Sequence, residues 1–228
     1  MKYLALAALL SPTLLNSILG LMMQSPSAQR NKAFIGEVLA DIVKSKYYQN
    51  RPMNVFEVAS GTGEHAHYLN SVIPNMLYQP SEPDSTTHAS ISEWTKDFRD
   101  RVLPPIPFDI TTFETFDLPQ AFENDKIDIV ICINMIHISP FECTSCLFRF
   151  ANSFGNKEAV VLTYGPYAVE GRMVESNQAF DRSLRARNPL WGVRSVEEVQ
   201  VVAGECGFRL GEMREMPANN LCLVFVRK

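Results

Sequence analysis

Apolar residues at Phe34, Ile35, Val38, Leu39, Ile42 and Val43 recur at helical spacing, and the stripe they form ends before Asn50-Arg51-Pro52. That spacing predicts a helix with one buried face. Met53 to Ala59 is a short apolar run closed by Ser60-Gly61-Thr62-Gly63, after which Ala66, Leu69 and Ile73 share one side. This reads as strand, glycine turn, helix. The alternation continues with a strand at Met76 to Gln79, a helix carrying Ile91, Trp94 and Phe98, and a proline-bounded strand near Ile106 to Phe108. Ile127 to Met135 is nearly continuous in β-branched and apolar residues, as a strand covered on both faces of a parallel sheet should be, and is expected at the centre.

Ser139-Pro140-Phe141-Glu142 has the spacing of a capping box with proline at the first helical position, which leaves Ile136 to Ile138 in the loop. Ala159 to Tyr164 is a further strand. Ser195-Val196-Glu197-Glu198 opens a second capped helix with Val196, Val199 and Ala203 on one face and Gly207 as its stop. Phe208 to Met216 and Leu221 to Val226 are separated only by Pro217-Ala218-Asn219-Asn220, so these two strands must be antiparallel. The repeated β-α alternation ahead of them predicts an α/β, doubly wound, Rossmann-like sheet. Its ligand crevice should lie beyond the carboxyl ends of the parallel strands.

Length and charge narrow the partners. The chain has 228 residues, a net charge of -4, 46% apolar and 20% charged residues, which describes an ordinary globular protein and disfavours nucleic acid as a partner. No repeat or linker divides residues 26–228, which are read as one domain. Residues 1–25 form a hydrophobic amino-terminal extension. Ser11-Pro12-Thr13 and Asn16-Ser17 interrupt it, and it is either a signal or anchor segment or a non-functional extension, with Met22 and Met23 where the globular pattern begins. Membrane contact is expected only if that segment is retained as an anchor, and the expected location is otherwise cytoplasmic. Five cysteines without a repeating spacing read as reduced thiols. Cys143-x-x-Cys146 has no second Cys or His pair at zinc spacing, so no metal site is expected.

The candidate chemistry lies just after the strands. In Glu57-Val58-Ala59-Ser60-Gly61-Thr62-Gly63-Glu64, the glycines permit a tight turn and leave helix-start amides free to face a ligand. Glu82 follows the next strand, about nineteen residues after Gly63, a spacing at which a carboxylate can accept hydrogen bonds from both hydroxyls of a ribose. A dinucleotide and S-adenosylmethionine both fit, because Gly61-x-Gly63-x-x-Ala66 satisfies the loose dinucleotide fingerprint. Three features favour S-adenosylmethionine. Glu57 would face a cationic amino-acid tail but repel a pyrophosphate, Asp109 could accept from an adenine amino group, and the sheet ends in an antiparallel hairpin.

Glu57, Gly61 and Gly63 stand as in the first motif of the class I S-adenosylmethionine-dependent methyltransferases, which the sequence resembles; Ala59 takes the place of a third glycine. Several further segments bring the resemblance down to one branch of that superfamily. They are Arg30-Asn31-Lys32, Gln79-Pro80-Ser81-Glu82-Pro83-Asp84, Cys132 to Pro140, Tyr164-Gly165-Pro166-Tyr167, Ser183 to Arg187 and Met216 to Leu221. Together they are similar to domain of unknown function family 938, from about residue 28 to the end. The resemblance implies a class I methyltransferase sheet of seven strands, order 3-2-1-4-5-7-6 with the last strand antiparallel, and a bound S-adenosylmethionine. It implies no substrate. Glu82 stands where that family usually has aspartate.

If the chain transfers a methyl group, a protonated acceptor needs a base. His137, beyond the central strand, suits the task, although a histidine that bonds the loop or lines the cofactor pocket is the simpler account. Tyr164 is the second catalytic candidate. Asn134 is followed by Met135-Ile136-His137 rather than the Pro-Pro-aromatic sequence of nucleobase amino-methyltransferases, so a nucleobase acceptor is disfavoured. Arg30 and Asn31 could reach the methionine carboxylate. Asn134, with Glu57, Ala59, Gly61, Gly63, Glu82 and Asp109, completes the expected cofactor site. Tyr164 to Trp191 is longer than a strand-to-helix connection needs, and Tyr167, Arg172, Asn177 and Trp191 are its candidate contacts to a small-molecule methyl acceptor. The alternative there is a helix with Phe180 and Leu184 packed inward and Arg182, Arg185 and Arg187 solvated. Two other functions stay open at this point: an NAD(P)-dependent oxidoreductase on a similar sheet, and a non-catalytic scaffold that binds S-adenosylmethionine.

Overall fold

The computed structural model describes residues 22–44, 52–122 and 126–228. The apolar segment before residue 22 and the expected helix end at Asn50-Arg51 lie outside them. Among the described residues, no helix is long and apolar enough to cross a membrane.

Helix α1 (Pro26–Lys44) buries Ile35, Val38 and Leu39 as the stripe requires, with Ile42 and Val43 partly covered by the same cluster. Phe34 departs from the expectation and is 40% exposed. It lies about 100° round the helix from Ile35, at the margin of the stripe. Strand β1 (Met53–Val58) leads through the glycine turn into α2 (Glu64–Val72), followed by β2 (Met76–Ser81) and α3 (His88–Trp94).

The expected strand near Ile106 to Phe108 does not form. The segment follows β2 through two isolated parallel bridges, Tyr78 to Val102 and Ser81 to Ile106. Pro104, Pro105 and Pro107 have no amide hydrogen to give to a ladder, so the pairing stays broken. The sheet therefore has six strands rather than seven.

The chain continues as β3 (Ile127–Ile133), α4 (Glu142–Phe154), β4 (Gly155–Gly165), a two-residue β5 (Tyr167–Ala168), α5 (Glu175–Arg187), β6 (Arg194–Ser195), α6 (Val196–Glu205), β7 (Phe208–Met216) and β8 (Asn220–Arg227). The sheet order is β2-β1-β3-β4-β8-β7, with β5 and β6 paired separately. Strands β1 to β4 are parallel, and β8 runs antiparallel to both β4 and β7. Strand β3 is central and buried along its whole length.

Side chains alternate between the two faces. Phe56, Val58, Val130 and Cys132 join α4 and α6 in one core; Val55, Ile129, Ile131 and Ile133 join α1 and α2 in the other. The capping box at Ser195 forms in full, with Ser195 Oγ accepting from Glu198 N at 3.1 Å and Glu198 Oε2 accepting from Ser195 N at 2.9 Å. The one expected at Ser139 does not. Its hydroxyl donates to the Met135 carbonyl at 2.9 Å, because the turn after β3 already folds back on that carbonyl through Ile138 N. Helix α4 starts at Glu142 without a side-chain cap.

Candidate functional site

The turn after β1 is built from backbone that ordinary residues avoid. Ala59, Gly61 and Gly63 have φ of 59°, 57° and 94°, and Asn134, after β3, has 62°. The end of β2 fixes this turn: Ser60 N donates to Ser81 O at 2.9 Å, Ser81 N to Ser60 Oγ at 3.1 Å, and Gly61 N to Glu82 Oε2 at 2.9 Å. The two glycines serve different ends. A Cβ on Gly61 would meet nothing within 4 Å, whereas one on Gly63 would stand 2.6 Å from Ile91 Cα. Gly61 keeps space open above the turn, and Gly63 lets α3 pack against it.

A cavity of about 450 Å³ occupies that space. Its floor is Val58 to Thr62, its walls include His65, Glu82, Pro83, Phe108, Asp109, Ile110, Ile133, Asn134 and Met135, and Ser25, Ser27 and Ala28 cover it. The covering segment is tied down by Trp94 Nε1 donating to Met23 O at 2.9 Å, by Met23 N donating to Ser90 Oγ at 2.9 Å, and by Ser25 N donating to Glu64 Oε2. Glu82 Oε1 also accepts from Asp84 N at 3.2 Å. Asp109 Oδ1 accepts from the amide and hydroxyl of Thr111 at 2.9 and 2.8 Å, which sets this carboxylate at the cavity wall.

Glu57 differs from its expected place. It does not line the cavity but is 1% exposed beneath the turn, with neither carboxylate oxygen hydrogen-bonded. Burial raises its pKa to about 7, partly offset by the Ser60 and Tyr78 hydroxyls facing it, while Glu82 adds a small upward push. The Tyr78 hydroxyl is itself buried without a hydrogen bond.

A second cavity of about 550 Å³ adjoins the first, and Ser27, Asn134 and Ile138 line both. Arg30, Asn31, His137, Tyr164 and Asn177 line the second, so four residues expected to serve cofactor or catalysis share a chamber with one expected to serve the acceptor. His137 is held neutral. Burial, then the charges of Arg194 and Arg187, lower its pKa to about 4, and its ring meets Phe180 edge-on at 5.5 Å. Burial raises the Tyr164 pKa, against a smaller opposing pull from hydrogen bonding to Asn31.

His65 carries no motif that marks it in the sequence, yet it faces the first cavity and its Nε2 lies 2.7 Å from Asn31 Oδ1. Burial, then Lys32, lowers its pKa to about 4. Asn31 thus connects a residue of the first cavity with Tyr164 of the second. The one available signal is the position of His65 in the first turn of the helix after the glycines.

The remaining acceptor candidates stand apart. Tyr167 and Arg172 line a third cavity of about 430 Å³, which shares Asn177 and Asn220 with the second. The Tyr167 hydroxyl donates to Thr163 Oγ1 at 2.9 Å inside the core. Asn177 Nδ2 donates to Asn219 O at 2.9 Å and fastens α5 to the last hairpin. Trp191 lines none of these cavities; the Arg187 guanidinium lies over its ring at 5.8 Å. Arg185 pairs with Asp181 at 2.9 Å.

Solved methyltransferase structures share this architecture. A putative O-methyltransferase from Nostoc punctiforme PCC 73102 superposes with a TM-score of 0.68 at 16% identity, over 86% of this chain and 56% of that one. The mitomycin 7-O-methyltransferase MmcR gives 0.67 at 16% identity, over 92% of this chain and 60% of that one. The S-adenosylmethionine-dependent methyltransferase SibL gives 0.63 at 16% identity, over 84% and 55%. The chain thus spans 55% to 60% of the length of these structures, and the likeness establishes the fold. The model of the family described as "Protein of unknown function (DUF938)" matches residues 22–227, nearly all of the described chain. The chain, a class I methyltransferase-like α/β fold, is a member of the DUF938 family.

Proposed function

We propose that the protein is an S-adenosylmethionine-dependent methyltransferase acting on a small-molecule acceptor. The observation that carries this reading is the first cavity, where open space above Gly61 meets a carboxylate, Glu82, fixed by the Gly61 amide. Each Glu82 oxygen accepts one backbone N–H and retains a lone pair for a ribose hydroxyl. Phe108, Ile110 and Pro83 offer apolar surface to an adenine, and Asp109 stands beside them to accept from its amino group. Glu57, buried beneath the turn with its pKa raised to about 7, is assigned no direct contact. A fold shared with structures described as O-methyltransferases and as S-adenosylmethionine-dependent supports the same reading.

When bound, the cofactor supplies a methyl carbon made electrophilic by its sulfonium. The protein's work is alignment, which is where most of the rate advantage of such a transfer is gained. Ser27, Asn134 and Ile138, common to both cavities, frame the passage through which donor and acceptor would meet. His137 is unprotonated at neutral pH, so it can accept a hydrogen bond from an acceptor hydroxyl. With a pKa near 4 it is a weak base, and we assign it to orientation. Tyr164 and Asn31 complete that wall.

Calorimetric titration with S-adenosylhomocysteine, NAD and NADP tests the cofactor. The first should bind and the dinucleotides should not; the reverse would establish the oxidoreductase. Transfer of a labelled methyl group from S-adenosylmethionine to a metabolite extract tests catalysis. Tight binding without transfer to any component would favour the scaffold.

A further inference from the structure

We infer that the second cavity binds a small organic acid, whose carboxylate pairs with Arg30 and whose apolar body lies against Ile138, Phe180 and Pro217. The inference rests on the methyltransferase reading for its role, since the bound acid would present its methyl-accepting group at the Asn134 passage. Its recognition chemistry stands on the cavity alone.

The charge inventory is one-sided. Arg30 is the single permanently charged side chain on the cavity's described walls, and no carboxylate lines it. No ion pair or hydrogen bond occupies the Arg30 guanidinium among the described residues. The charges of Arg194 and Arg187 also act on His137. A cationic acceptor would meet the Arg30 charge with no carboxylate on the cavity wall, whereas a carboxylate would find a planar donor pair suited to its shape. Arg30 lines this cavity and not the first. The volume, about 550 Å³, suits a small ligand with an apolar body and few polar groups. A neutral His137 completes the match, because it can accept a hydrogen bond from a hydroxyl carried by the acid.

The test is a matched series titrated into protein saturated with S-adenosylhomocysteine: benzoate, salicylate, 3-phenylpropionate and indole-3-acetate, the corresponding amides, and benzylamine and phenethylamine. At least one acid should bind about tenfold or more tighter than its amide, as one charge-assisted contact would give. The amines should bind weakest. In Arg30→Gln that advantage should fall to near parity, and the loss in affinity for the acid should exceed any loss for S-adenosylhomocysteine. The inference is overturned if no acid binds, if amides or amines match the acids, or if Arg30→Gln weakens the cofactor and spares the preference for acids. Failure of wild-type protein to bind S-adenosylhomocysteine would instead defeat the cofactor reading. The acid series, run on the free protein, would then still decide the cavity's ligand class by the same criteria.

Discussion

Glu57 is sealed beneath the glycine turn with only the Ser60 and Tyr78 hydroxyls facing it, so ionising it costs the fold stability. Its folded pKa, about 7, stands above its unfolded value of 4.5. The native state therefore holds a proton that the unfolded chain releases, and stability declines as pH rises from 4.5 through 7. Each tenfold difference in proton affinity between the two states is worth about 1.4 kcal/mol, so the full cost above pH 7 is on the order of 3 kcal/mol. Glu57→Gln should raise the urea midpoint at pH 8 and leave it nearly unchanged at pH 4.5; an equal gain at both would refute the buried charge. His65 and His137 act in the opposite sense, because the unfolded chain takes up protons below 6.5 that the fold refuses down to about 4. Ala59 holds a φ of 59°, which costs a side-chain-bearing residue about 1 to 2 kcal/mol. Ala59→Gly should be neutral or modestly stabilising in the same denaturation assay. At this scale sequence spacing is enough to mark Gly61, Glu82 and Asn134, since each follows a strand directly. It marks Glu57 as a carboxylate next to the turn but not its burial, which depends on how Ser60 and Tyr78 pack around it. The Asn31 to His65 contact is out of its reach, because it depends on how α1 crosses α2.

The glycine turn, α2 and α3 stand or fall together. Gly63 has a φ of 94°, and a Cβ there would lie 2.6 Å from the Ile91 backbone, so Gly63→Ala must both strain the turn and displace α3. It should destabilise the protein by about 2 to 4 kcal/mol, read as a fall in thermal midpoint. Gly61→Val meets open space. It should lose only about 1 to 3 kcal/mol through its φ of 57° but abolish S-adenosylhomocysteine binding in calorimetry. Retained affinity would remove the turn from the site. Ser195→Ala, which breaks a complete capping box, should cost about 1 kcal/mol. Elements with strong local signals, β1 to α2, β3 and the final hairpin, are legible because periodicity and turn residues agree there. The strand expected near Ile106 is not, since an apolar run bounded by prolines has strand composition but lacks the amides that make a ladder. Ser139 misleads for a similar reason: spacing alone cannot reveal that the Met135 carbonyl captures its hydroxyl.

At the scale of the whole molecule, parallel crossovers bring the ends of β1, β2 and β3 to one rim, and the start of α1 closes over them. The α/β class and the terminal hairpin follow from the order of elements. The division into two adjoining cavities does not, because it depends on where α1 and α5 lie above the rim. Binding at that rim should stabilise the whole fold. S-adenosylhomocysteine at about a hundredfold its Kd should add about 2.7 kcal/mol, measured as a concentration-dependent rise in thermal midpoint that NAD does not produce.

The most direct measurement is a crystal structure of the full chain with S-adenosylhomocysteine. The ribose hydroxyls should lie within hydrogen-bonding distance of Glu82, the adenine beside Phe108 and Asp109, and the sulfur toward Asn134 and the second cavity. A first cavity left empty at saturating ligand, or the ligand bound elsewhere with Glu82 still held only by Gly61 and Asp84, would contradict the account.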